Sequence, residues 1–182
     1  MTDEQCWQII DVARAAAGYD VHAQANLITR RLARRPLDEI VAFKRWVLTR
    51  MAEANRTDVF TAVNWIDAAN GFPEVSGDRW EYHRAWLVGL GHRDFADVLA
   101  DPDVLADHFT NLEDFFGGES IELAANYAYE RATGSREYPD EMYEPSPLES
   151  FPPAAPEPGY DRDRLTARFP MLTRKFGPPQ FV

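Results

Sequence analysis

The chain has a single cysteine, Cys6, in 182 residues. A lone thiol forms no intrachain disulfide and no thiolate metal cluster, which excludes a disulfide-stapled secreted scaffold and a cysteine zinc site. No apolar run approaches bilayer length, and the acidic opening Met1-Thr2-Asp3-Glu4 leads into an amphipathic stretch instead of the apolar core of a leader. The expectations are no membrane association and a cytoplasmic location. Positive charge is also scarce: 19 Lys and Arg stand against 30 Asp and Glu, for a net charge of -11. Long-range repulsion then works against phosphate polymers, so nucleic acid is not an expected partner. Alternating strand patterns and internal repeats are missing as well. What is present is apolar surface, 45% hydrophobic and 13% aromatic, enough for one domain of this length to fold without a staple.

The apolar residues recur with helical period. Thr2 and Gln5 fit a capping box ahead of Trp7, Ile10, Ala13 and Ala17, and Gly18 stops the pattern. A second helix is expected from about His22 to Arg34, with Leu27, Ile28 and Leu32 on one side and Arg30, Arg31, Arg34 and Arg35 on another. Pro36 suits the start of a third helix through Met51, and Asp58 would cap a fourth that ends near Gly71. From Ser76 to Gly91 large residues point all round, the mark of a central helix. A short helix near Asp94 to Leu99, a restart at Asp101-Pro102-Asp103 and a helix from the Gly117-Gly118 turn to about Gly134 follow. The expected fold class is all-α: a single domain of about seven to nine helices around that central apolar helix.

Composition then shifts. Seven of the 13 prolines fall between Pro139 and Pro158, and no Lys or Arg occurs between Arg136 and Arg162. Three parts are therefore expected: a helical domain over 1–136, a proline-rich, acidic, extended arm over 137–160, and a short helix and tail over 161–182 packing on the same domain. The arm's charge has an obvious target in the arginine stripe, with Tyr138, Tyr143, Phe151 and Tyr160 as anchors.

Two residue groups are candidates for function. On the central helix, Asp78, Trp80, His83 and Arg84, together with Asp101 and Asp103, offer a guanidinium clamp, an imidazole acid or base and an apolar wall, suited to an anionic small ligand. Arg84 on an apolar helix needs a carboxylate, with Asp101 or Asp103 as the first choice, and a structural ion pair is the commoner use of such an arrangement. Arg30, Arg31, Arg34 and Arg35 are the second group, a candidate partner surface. Its contrast is the stretch between Arg93 and Arg131, with ten acids and no base, so a basic protein partner or head-to-tail self-association is expected over any polyanion. His108 with Asp103 and Asp107, and His92 with Asp94 and Asp97, lack signature spacing, so no metal and no cofactor are expected. Ser76, Ser120 and Cys6 have no nucleophile-elbow pattern.

Cys6-Trp7 with Ile10, Leu37-Asp38-Glu39-Ile40 with Phe43, Ser76 to Asp78, His83-Arg84-Ala85-Trp86-Leu87 with Gly91, Asp101 to Asp103, and Phe169-Pro170-Met171-Leu172 together resemble an uncharacterised bacterial family. It is the domain of unknown function numbered four-two-four-zero. The chain departs from that pattern with Gly77 where a second acidic residue is common and His83 where an aromatic is common. The resemblance implies a mostly helical bacterial domain with no assigned reaction. The expected function is a non-catalytic interaction or regulatory module; the alternative is a small enzyme or anionic-ligand binder using the His/Arg/Asp cluster.

Overall fold

A computed structural model describes residues 1–72, 75, 77–143 and 161–179. Among them there are eleven α-helices and no strand. In chain order these are α1 (Asp3–Ala17), α2 (Val21–Leu32), α3 (Leu37–Glu53), α4 (Thr57–Ala69), α5 (Gly77–Gly89), α6 (His92–Ala100), α7 (Leu105–His108), α8 (Leu112–Phe116), α9 (Gly118–Thr133), α10 (Arg162–Arg168) and α11 (Pro170–Phe176). One-turn 3-10 helices stand at Pro102–Val104 and Asp140–Tyr143. The count exceeds the expected seven to nine because Asn111 caps an extra short helix and Pro170 starts α11 directly after α10.

Local chemistry sets the helix ends. Thr2 Oγ1 accepts from Gln5 N at 3.3 Å while Thr2 N donates to Gln5 Oε1 at 2.9 Å, closing the capping box of α1. Asp20 accepts from Ala23 N at 2.8 Å and starts α2, which ends at Leu32, sooner than the sequence suggests. Asp58 does not cap α4; Arg56 holds that position, and Asp58 sits in the first turn paired with Arg56 at 2.6 Å. Gly134, with φ 74°, closes α9 in the left-handed conformation that a side chain would resist.

The core is built around α5. Its residues from His83 to Gly89 are all buried, with α9, α3 and α8 packed around it and α2 crossing α9. Gly118, at the first position of α9, lies so close that a Cβ there would overlap the Tyr82 carbonyl. Buried polar groups tie the layers: Gln24 Nε2 donates to Gly89 O at 2.7 Å and Thr29 Oγ1 to Ala124 O at 3.1 Å. Trp80 donates its indole N–H to Asn55 Oδ1 at 3.0 Å, which lets a fully buried tryptophan keep its polar atom satisfied.

After α9 the chain returns over the body, with Tyr138 against Tyr129 and the buried Met142 against α3. Residues 144–160 lie outside the described residues, and with them the expected course of the acidic arm across the arginine stripe. At the C-terminus, α11 packs on α4 and α7, Trp65 donates to Gly177 O at 3.1 Å, and Lys175 donates to Phe109 O at 2.8 Å.

Candidate functional site

Consecutive side chains on a helix point about 100° apart, so His83 and Arg84 enter different parts of the core. On the α4 side, His83 Nε2 lies 3.3 Å from the Asp67 carboxylate and Nδ1 lies 3.3 Å from the Phe115 carbonyl oxygen. Both partners are acceptors, so an imidazolium donates to both and a neutral ring to only one. Asp67 also faces Arg79 at 3.6 Å, and the imidazole lies against the Phe115 ring, centroids 4.1 Å apart and tilted by 32°. Asp67 was not among the residues the sequence singled out. Its only signal there is a lone acid in the mostly apolar run Val63-Asn64-Trp65-Ile66-Asp67-Ala68.

Arg84 is also fully buried, and its guanidinium carbon stands 5.5 Å from the centre of the Trp80 ring. Burial pushes its pKa down, and the charges of Glu81 and Glu122 oppose that shift. Burial likewise pushes Glu81 up, reinforced by Glu122 and offset by Arg84 and Lys44. Next to them Lys44, also buried, donates to Glu122 Oε1 at 2.9 Å and to Glu122 O at 3.0 Å. The interior thus holds two charge clusters, His83 with Asp67 and Arg79, and Arg84 with Glu81, Lys44 and Glu122.

The other candidates from that group lie elsewhere. Asp78 is exposed at the start of α5. Asp101 and Asp103 do not serve Arg84. Asp101 pairs with Arg168 at 3.0 Å, while Asp103 accepts from Met171 N at 2.8 Å and Leu172 N at 2.9 Å, holding the first turn of α11. The reason is chain direction: α11 delivers two unpaired N–H groups to Asp103, and a carboxylate beneath a helix N-terminus satisfies both at once. Sequence proximity to α5 says nothing of that approach from 68 residues away.

The arginine group does converge. Arg34 and Arg35 fall in the turn after α2, so the four do not form the continuous helical stripe their spacing suggests, yet all four line one cleft of about 520 Å³ between α1 and α2. Its floor is Ile9, Val12, Ala13 and Ala16 from α1 and Leu27 from α2. Val12 is 47% exposed although it is apolar. Arg35 pairs with Glu39 at 3.2 Å; Arg30, Arg31 and Arg34 face no carboxylate within ion-pair distance among the described residues. The apolar floor was missed in the sequence because Val12 and Ala16 lie beside, not on, the face that carries Trp7, Ile10, Ala13 and Ala17.

Among the described residues no group of three or more His, Cys, Asp and Glu side chains is arranged to hold a metal, and no helix is long and apolar enough to cross a membrane. The family model described as a protein of unknown function (DUF4240) matches residues 1–131, from α1 almost to the end of α9. The chain belongs to the DUF4240 family. The match stops short of Phe169-Pro170-Met171-Leu172, so in this DUF4240 chain α10 and α11 stand beyond the matched region. Comparison with curated proteins and with solved structures finds no match. Of the DUF4240-like residues, Cys6, Trp7, Ile10, Ile40, Phe43 and those from His83 to Leu87 are buried, and Gly91, with φ 101°, would press a Cβ onto Asp11 Oδ1 at 2.6 Å. That same oxygen accepts from His92 N at 2.8 Å and anchors α6 on α1.

Proposed function

We propose that this chain is a non-catalytic protein-docking module whose contact face is the α1/α2 cleft. One observation carries the reading: an open apolar floor is rimmed by four guanidiniums, three of which face no carboxylate among the described residues. Surface cations of one sign crowded around exposed apolar area are costly in isolation and become favourable when a partner covers the floor and supplies acids. Residues 137–160 act in this reading as a connection that returns α10 and α11 to the same body, and the cytoplasm is the proposed location. The small-enzyme alternative would need His83 and Arg84 to touch substrate. Both are 0% exposed and enclosed by core side chains, which favours a structural role for each.

The test is photo-crosslinking in cells from position 12, compared with position 127, where Tyr127 is exposed on α9. The reading expects a discrete adduct from position 12 alone, abolished when Arg30→Glu and Arg34→Glu are introduced together. Identical adducts from both positions, or adducts indifferent to the arginines, would overturn it.

A further inference from the structure

We infer that the occupant of the α1/α2 cleft is an acidic amphipathic helix, with its apolar ridge on the floor and its carboxylates against Arg30, Arg31 and Arg34; this rests on the docking reading above. Shape gives the first argument. Ile9, Val12, Ala13 and Ala16 follow the i, i+3, i+4, i+7 spacing along α1, so the floor is a straight trough about 10 Å long at 1.5 Å per residue. The small Ala13 and Ala16 leave a dip between the larger side chains, the relief into which a ridge of another helix packs. No strand among the described residues offers an edge for an extended peptide.

Charge gives the second. The molecule carries a net -11, so the arginine rim is a local basic island in a negative surface. At physiological salt a charge is felt over about 8 Å, while a helix is about 10 Å wide. A single acidic helix therefore feels the rim and little else. A nucleic acid duplex or an anionic bilayer would extend its charge over the acidic surroundings and be repelled there. Arg35 is partly neutralised by Glu39 at 3.2 Å, which places the strongest pull at Arg30, Arg31 and Arg34.

The experiment uses the full chain and a fluorescent helical peptide of about four turns with leucines at i, i+3, i+4 and i+7 and flanking glutamates. Controls are the same peptide with every Glu replaced by Gln, a scrambled acidic peptide, and dodecanoate. Three exposed ion pairs predict roughly tenfold tighter binding of the acidic helix than of its Gln counterpart. The gap should close at about 1 M salt, where screening reaches about 3 Å, and in the double variant Arg30→Glu/Arg34→Glu. Both arginines are exposed, so that variant is expected to fold, with circular dichroism as the check. Equal binding of the Gln peptide, blocked by Val12→Glu, would overturn the acidic-partner inference and leave the docking reading standing. Equal binding of the scrambled peptide or tighter binding of dodecanoate would overturn it in favour of nonspecific attraction or a small amphiphilic anion. A self-dimer abolished by the double variant would replace the helix with a second copy. Absence of binding by every probe, with no crosslink at position 12, would overturn both.

Discussion

Replacing Asp103 by asparagine keeps the shape of the side chain and removes its charge and one of its two acceptor oxygens. The wild-type carboxylate accepts from Met171 N and Leu172 N at 2.8 and 2.9 Å and is 2% exposed, so water cannot take its place. A hydrogen bond to a charged group contributes about 1.5–3 kcal/mol, and an orphaned buried N–H costs about 1–3 kcal/mol. Asparagine can keep one bond but turns its NH₂ toward the second donor, so we expect Asp103→Asn to cost about 2–3 kcal/mol, and Asp103→Ala about 4–5. A helix of seven residues such as α11 does not persist alone, so the loss should appear as release of the C-terminal helices from α4 and α7. Urea denaturation followed by tryptophan fluorescence is the assay, with Trp65 as a local reporter through its bond to Gly177 O. The neighbouring Asp101→Asn is the control: its carboxylate side chain is 52% exposed and its pair with Arg168 should be worth under about 1 kcal/mol. Equal midpoints for Asp103→Asn and the wild type would refute the reasoning.

Gly118→Ala should destabilise by at least about 1–3 kcal/mol, because the added methyl meets the backbone of Tyr82 and Trp86, which cannot rotate away; calorimetry showing an unchanged Tm would contradict the close packing of α9 on α5. Lys44→Ala should cost about 3–5 kcal/mol by leaving Glu122 without its partner, whereas the joint change Lys44→Met and Glu122→Leu should recover much of that loss, which a double-mutant cycle measures. Burial pushes the Cys6 thiol from 9.0 up to about 11. Its folded pKa is raised, so its contribution is complete below pH 9 and is lost as pH rises to about 11, where the unfolded thiol ionises first. Cys6→Ala should therefore flatten the fall in Tm between those values, and native Cys6 should label slowly with a thiol reagent at pH 8; rapid labelling would show the thiol is open.

Much of the secondary structure is determined by the sequence alone, because the forces that start and stop a helix act within four residues. Thr2 with Gln5, Asp20, Pro36, Gly18 and Gly134 punctuate the chain where their local chemistry requires it. The all-round apolar character of α5 likewise announces a buried helix, and the lone Cys6 settles as a small apolar core residue. Three-dimensional packing decided the pairings. His83 meets Asp67 across 16 residues, Lys44 meets Glu122 across 78, and Asp103 turns to α11 across 68 instead of to Arg84. A periodic pattern says which face of a helix is apolar and is silent on which other helix covers it. The same limit hid the cleft: Val12 stays exposed and Leu27 half-buried where α1 and α2 line it together, with the arginines of α2 and its following turn along the rim.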